Sequence, residues 1–321
     1  MSSIDRRRFI ADSTLLALAA YAGQARAQDA PKSSFAAGAT AEEVTAGADL
    51  SSKTIVVTGC NSGIGLETMR VLALRGAHVI GTARTLERGQ EACGGVKGKA
   101  TPVVLELSDF DSVVACANAI RALNTPIDAL VCNAGLLLTD LQQARGLELQ
   151  FVVNHLGHFI LANRLLERVT AAPQGRVVVV GSVAHQFVPD GGIQFDNLSG
   201  KGWERQAYGH SKLANGLFSL ELSKRLAGTR ATSNSLHPGV VATNILRNMS
   251  RSGGGGFGGM ETPAQGAATS CYLASSPALA RVTGQYFADC NPAQQSNYQK
   301  DPAMAAKLWQ VSTDLTRQYL V

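Results

Sequence analysis

Residues 53–65, K-T-I-V-V-T-G-C-N-S-G-I-G, constrain the fold of this chain more than any other segment. Ile55, Val56 and Val57 form a short β-branched run, the pattern of a parallel strand covered on both faces. Gly59, Gly63 and Gly65 follow, and the amphipathic run 66–75 then reads as a helix. Glycines at such a turn let the chain bend sharply, bring backbone amides close to a pyrophosphate and pack the helix against the strand. The spacing is G-x-x-x-G-x-G, so the reading rests on the flanking strand and helix as much as on the glycines. Together they point to a dinucleotide site, with Gly59, Ser62, Gly63, Ile64 and Gly65 as candidate contacts.

Further short apolar runs at 79–82, 103–107, 129–132, 176–181 and 232–236 read as successive strands separated by helical stretches, which predicts one α/β domain over residues 51–321. With 321 residues, 45% hydrophobic and 17% charged, the chain can bury a substantial core. No repeat or Pro-rich tract divides it. The net charge of +5 includes the N-terminal arginines and forms no basic stripe, which argues against a nucleic-acid partner. The six cysteines lack metal-ligand spacing and read as free buried thiols. His155 and His158 lie three apart on a helical stretch, but no third ligand stands nearby, so packing and capping account for them and no metal is expected.

Tyr208 and Lys212, in Y-G-H-S-K, stand four apart and share one helix face. A phenol titrates near about 10, and an adjacent ammonium favours the phenolate, so Lys212 is expected to lower the Tyr208 pKa. Ser182, at the end of a β-rich run, can hydrogen-bond a substrate oxygen. At the end of the second strand, V-I-G-T-A-R-T has Ala83 where an NAD-selective site places an acid, followed by Arg84, whose guanidinium suits a 2′-phosphate. That favours NADP, with NAD as the alternative.

These motifs resemble the short-chain dehydrogenase/reductase family over about residues 51–315. The glycine turn resembles its glycine motif, Cys132-Asn133-Ala134-Gly135 its N-N-A-G motif, and Asn154 in V-N-H-L-G-H-F its helix asparagine. Ser182, Tyr208 and Lys212 follow in family order, and H-P-G-V-V-A-T from His237 to Thr243 is similar to the segment that borders the nicotinamide. The wording V-N-H-L-G-H-F, S-K-L-A-N and Y-F-A-D-C resembles the branch of retinol dehydrogenases and WW-domain oxidoreductases. The resemblance implies a doubly wound Rossmann domain with a central parallel sheet of about seven strands, ordered 3-2-1-4-5-6-7. It also implies that Asn133, Ala134, Gly135, Pro238, Gly239, Val241 and Thr243 contact cofactor. Glu106-Leu107 stands where the family usually has an aspartate and a hydrophobic residue at the adenine, with Leu107 expected to pack on the ring.

The implied mechanism has Tyr208 exchange the proton that accompanies hydride transfer. Lys212 tunes the phenol and binds the nicotinamide ribose, Ser182 holds the reacting oxygen, and the Asn154 side chain or backbone fixes a water that links Lys212 to solvent. The branch hints at a hydrophobic alcohol, aldehyde or ketone, and a homodimer or homotetramer paired through the helices carrying Asn154 and Tyr208. A double-bond reductase on the same scaffold and a non-catalytic NADP-binding protein remain as alternatives. Residues 183–203, with Phe187, Val188, Ile193, Phe195 and Trp203, and residues 244–263, with the run S-G-G-G-G-F-G-G, are expected to form a lid over the substrate.

Arg6-Arg7-Arg8-Phe9-Ile10, an apolar stretch at 15–21 and Ala25-Arg26-Ala27 read as a twin-arginine export signal over residues 1–27. The apolar stretch is too short for a stable membrane span. Residues 28–50 read as a flexible lead into the domain, and the expected compartment is the periplasm, with the cytoplasm as alternative.

Overall fold

A computed structural model of the protein describes residues 30–203, 206–241 and 260–321. The expected export signal, Thr243 and the 252–259 glycine run lie outside the described residues.

Strands β1 Thr54–Val57, β2 His78–Ala83, β3 Lys99–Val104, β4 Ala129–Cys132, β7 Arg176–Val180, β8 Thr232–His237, β9 Tyr286–Ala288 and β10 Asn291–Pro292 form one eight-stranded sheet in the order β10-β9-β8-β7-β4-β1-β2-β3. The remaining two, β5 Gln143–Ala144 and β6 Leu147–Glu148, make a small separate hairpin. All pairings from β3 to β9 are parallel, and only β10 runs antiparallel, against β9. The expected seven-strand order holds, with one edge strand added. Alternate residues of the central strands serve opposite cores. Val56, Leu130, Val177 and Val179 face the helices Phe110–Ala122, Gly157–Thr170 and Ala207–Arg225, whereas Ile55, Val57, Val131 and Val178 face Gly63–Leu74 and Ala268–Ser275. Burial on both faces explains why these strands read as unbroken apolar runs.

The third strand differs from the sequence expectation of 103–107. It pairs from His78↔Lys99 to Ala83↔Val104. β3 is an edge strand, where Lys99, Thr101 and even Pro102 are tolerated because one side carries no partner. The apolar Leu105 and Leu107 are buried after the strand has ended, in the core beneath Phe110–Ala122.

Residues 30–50 are not a loose lead. Ser33 N donates to Asn291 Oδ1 at 2.9 Å, and the Phe35 ring meets Tyr272 edge-on at 5.7 Å. A short helix, Ala41–Val44, opens with a reciprocal capping box between Thr40 and Glu43. Ala41 and Val44 are buried, and Arg75 Nη2 donates to Glu42 O at 2.8 Å. The T-x-x-E signature was present in the sequence, but small residues around it masked a docked segment.

The C-terminal helix Pro302–Thr316 lies along Ala207–Arg225. Trp309 packs edge-on against Phe159 at 4.9 Å and stacks on Phe218 at 5.9 Å, and the Ser312 hydroxyl bonds His155 Nε2 at 2.7 Å. The chain's own last helix therefore covers part of the helices expected to pair two subunits. Phe159 and Phe218 of those helices are thus partnered within the chain. His155 and His158 are buried, and burial pushes their pKa values down to about 3 and about 4, so both rings are neutral packing elements. No described helix is long and apolar enough to cross a membrane, and the described residues hold no cluster of three or more metal-ligating side chains.

All six cysteines are free and buried. Burial raises Cys116 and Cys132 to about 12 and Cys290 to about 11, with Cys60, Cys93 and Cys271 raised as well. Native thiols then keep protons that the unfolded chain releases near its ordinary value of 9.0, so their contribution is complete below that pH and is lost as pH climbs through the native values. Lys212 acts in the opposite sense between about 8 and 10.5, but it is one group against six. Urea denaturation at pH 8 and pH 10.5 should show a lower midpoint at the higher pH, the loss of stability being at most about 1.4 kcal/mol per thiol per pH unit. An unchanged midpoint would contradict this account of the core.

Candidate active site

The glycine turn, the N-A-G segment and the P-G segment converge beyond the carboxyl ends of β1, β4 and β8, where open α/β sheets bind ligands. A Cβ on Gly65 would fall onto the Gly59 carbonyl and the Asn133 side-chain amide, so glycine is what allows the helix Gly63–Leu74 to start this close to the strand. Gly59 has φ +73°, a left-handed conformation that favours glycine. Ser62 caps the helix in extended conformation, but its hydroxyl makes no capping bond, and no acid occupies the first turn. The helix thus presents backbone N–H groups without a side-chain acceptor of its own.

Thr58 ties this turn to β4. Its Oγ1 accepts from Asn133 N and Ala134 N, each at 2.9 Å, and Asn133 Nδ2 donates to the Thr58 carbonyl at 2.8 Å. Val241 bridges in parallel to Glu261 and lies, with Ile64, against Gly266, which brings the P-G segment to the glycine turn. Pro238 and Gly239 are half-buried between them.

The positions expected to meet the adenine end behave differently from one another. Arg84 is exposed one residue beyond β2, just before the Thr85 cap of the helix Leu86–Gly94, and forms no ion pair with a described residue. Glu106 is turned inward: its Oε1 accepts from Ser108 N at 3.0 Å and from Ser108 Oγ at 2.7 Å. Leu107 is 4% exposed and abuts the Cα of Gly157. Leu107 is therefore packed into the core beside Gly157.

Ser182, Tyr208, Lys212 and Asn154 are brought to one place by three elements. Ser182 follows β7 directly and caps the short turn Val183–Gln186, its hydroxyl accepting from Ala184 N at 3.1 Å. Tyr208 and Lys212 lie on Ala207–Arg225, with the Lys212 ammonium 5.5 Å from the Tyr208 ring centre. Lys212 Nζ donates to the Val180 carbonyl at 3.1 Å, and Asn215 Nδ2 donates to the same oxygen at 3.1 Å. Asn154 sits in a widened π-type turn, Val152–Leu156, set within an otherwise α-helical stretch. Such turns are frequent at functional sites. Asn154 Oδ1 accepts from Leu136 N at 2.8 Å, while Nδ2 donates to Leu136 O at 3.0 Å and to Ser211 Oγ at 2.9 Å. Both Nδ2 protons are used, whereas Oδ1 and the backbone carbonyl, which accepts from His158 Nδ1 at 3.1 Å, each keep a second lone pair, so both roles expected for Asn154 stay open to a water.

Electrostatics run against one expectation. Burial raises the Tyr208 pKa to about 12, opposed by a hydrogen bond with Ser182, and Lys212 does not bring it down. Burial also lowers Lys212 to about 8. Desolvation dominates the Tyr208 shift, and the Lys212 ammonium is itself directed to Val180 O.

Several residues that complete the site carried no readable signal. Gly209 does so by absence: a Cβ there would strike the Phe187 carbonyl and come within 2.9 Å of the Ala184 carbonyl, so glycine lets the helix bearing Tyr208 rest directly on the turn bearing Ser182. Ser211 links Asn154 to the Tyr208 carbonyl, to which its hydroxyl donates at 2.8 Å. The Glu261 carboxyl lies against the Gly239 Cα, and burial pushes its pKa up. In the first expected lid, Ile193 and Trp203 are core residues, and Trp203 stacks on His210 with ring centres 4.0 Å apart. Phe187, 67% exposed, and Val183 remain at the surface beside Ser182.

Comparison with known proteins agrees with this geometry. The family model for short chain dehydrogenases matches residues 53–253. A chloroplastic short-chain dehydrogenase, TIC 32 A of Brassica napus, is 39% identical, with 89% of this chain and 95% of that protein covered. Human retinol dehydrogenase 11 is also 39% identical, covering 84% of this chain and 88% of its own length. Among solved structures, an uncharacterised protein from Mycobacterium paratuberculosis is 32% identical with a TM-score of 0.69, covering 85% of this chain and 97% of that one. The chain belongs to the short-chain dehydrogenase/reductase family, within the branch that includes retinol dehydrogenases. It is an NAD(P)-dependent oxidoreductase.

Proposed function

We propose that the protein is an NADP-dependent reductase of hydrophobic aldehydes or ketones, able to oxidise the corresponding alcohols in reverse. The observation that carries this reading is the convergence of Ser182, Tyr208 and Lys212 beside a glycine turn whose close strand-to-helix approach suits a diphosphate. The uncapped helix start at Ser62 and the Gly59–Gly65 contact fit a pyridine dinucleotide, with Asn133, Ala134, Gly135, Pro238, Gly239 and Val241 along the same crevice. The bound nicotinamide supplies the hydride in reduction and accepts it in oxidation.

The chain's own residues manage the proton and the oxygen. With a pKa of about 12, Tyr208 is protonated near neutrality and is the form that donates to a carbonyl oxygen as it becomes an alcohol. Ser182 hydrogen-bonds the same oxygen and stabilises charge that develops on it. Lys212, fixed to Val180, would hold the cofactor ribose when it is bound and keeps an ammonium beside Tyr208. The exposed Phe187 and Val183 beside Ser182 supply an apolar rim, which favours a hydrophobic substrate. Retinol dehydrogenase names one such relative. Arg84, exposed beyond Ala83, is placed to pair with a 2′-phosphate.

Tyr208→Phe should retain NADPH binding while NADPH oxidation with a panel of aldehydes and ketones falls at least ~100-fold. A near-native rate would remove the assigned role, and turnover of enones in preference to simple carbonyls would favour the double-bond reductase instead. For Arg84→Ala, NADP affinity should drop by roughly 1 kcal/mol or more with NAD affinity unchanged, as for loss of a charge-assisted bond. Equal effects on both cofactors would defeat the NADP assignment.

Export to the periplasm is proposed from the R-R-R-F-I motif and the A-R-A cleavage pattern. Changing Arg6 and Arg7 together to Lys should retain a tagged full-length chain in the cytoplasm, and an unchanged distribution would exclude this route.

A further inference from the structure

The turn that carries Ser182 is anchored by a residue outside the group that exchanges protons with substrate. His185 is fully buried in the turn Val183–Gln186. Its Nδ1 lies 2.6 Å from the Ser182 carbonyl oxygen, and Ser296 N lies 3.2 Å from its Nε2. A backbone N–H can only donate, so Nε2 must present its lone pair, and the single ring proton of a neutral imidazole must then sit on Nδ1. Both hydrogen bonds therefore have a defined direction: Ser296 donates to the ring, and the ring donates to Ser182 O.

Around this ring the fold leaves little play. The His185 backbone N–H donates to the same Ser182 carbonyl at 3.2 Å, and the ring meets Tyr286 of β9 edge-on at 5.2 Å. Burial lowers the His185 pKa and keeps the ring neutral. Its titratable neighbour His237, itself lowered to about 4, accepts from Val183 N at 3.4 Å and so is also neutral. Opposite the ring, the bare Gly209 Cα rests on the Ala184 and Phe187 carbonyls. The turn that follows Ser182 is thus held from the β9 side through His185 and from the helix side through Gly209.

We propose that His185 is a positioning residue for the reaction, fixing the Ser182 carbonyl, and through it the direction of the Ser182 hydroxyl towards Tyr208, by bridging the turn to the loop at Ser296. The inference rests on Ser182 holding the reacting oxygen, as set out above. It places a structural demand on residues 291–300, which supply the donor to Nε2.

Two near-isosteric variants separate the two bonds. His185→Asn keeps an amide N–H near the Nδ1 position and loses the acceptor for Ser296. His185→Gln keeps an acceptor near the Nε2 position and loses the donor to Ser182. Each is made in the native and the Ser182→Ala chain, with decanal reduction by NADPH followed for kcat, NADPH fluorescence for cofactor affinity, and thermal melting for integrity. His185→Gln should lower kcat at least ~10-fold, the scale of a small displacement of a reacting group, with NADPH affinity within about 3-fold of native. His185→Asn should stay within about 3-fold of native, and in the Ser182→Ala chain His185→Gln should add less than about 2-fold, since a residue acting only through Ser182 has nothing left to position. Native turnover in His185→Gln, equal losses in both variants, or losses that multiply with Ser182→Ala would each overturn the proposal. An unchanged kcat in Ser182→Ala alone is a different failure, because it removes the assignment of Ser182 itself.

Discussion

One buried ammonium organises the active site. Lys212 is 4% exposed, and its recorded protein partner is the Val180 carbonyl. Going from its ordinary 10.5 to about 8, at roughly 1.36 kcal/mol per pKa unit, burial disfavours the charged form by about 3 kcal/mol. A fold retains such a group only where the surroundings are rigid enough to hold it. Asn215 shares the same carbonyl, Gly135 leaves room above it, and the Asn154 amide is pinned to Leu136 and Ser211. The neighbouring phenol is desolvated by the same packing, which is why it is raised rather than lowered.

A second polar chain runs beside that centre. Thr58 Oγ1 accepts from Asn133 and Ala134, so its proton is directed to His158 Nε2 at 2.9 Å, and His158 Nδ1 donates to the Asn154 carbonyl. Asn154 then reaches Ser211, and Ser211 reaches the Tyr208 carbonyl. The glycine turn and the catalytic helix are therefore parts of one polar framework enclosed by two apolar cores. Buried networks of this kind favour a single arrangement because each unsatisfied member is costly.

The sheet order, the glycine turn and the positions of Ser182, Tyr208, Lys212 and Asn154 were legible because each leaves a local imprint: an apolar strand, a glycine spacing, a helical repeat. What was hidden depends on contacts between distant segments. Leu107 packs into the core beside Gly157, and β3 begins earlier because an edge strand tolerates Lys99 and Pro102. Residues 30–50 look like a linker, yet Phe35 and the Thr40 capping box dock them. The π-type turn at Asn154, the Gly209 contact and the burial that reverses the Tyr208 shift are tertiary effects that no spacing records. Trp203 and Ile193 read as pocket lining because apolar loop residues serve a pocket or a core equally well, and here the core took them.

The buried ammonium can be observed directly by following the Lys212 side chain by NMR across pH, with Lys212→Met to assign its signal. The account predicts half-titration near about 8. A midpoint at or above about 10, the value of a solvated lysine, would show an ammonium open to water and contradict it.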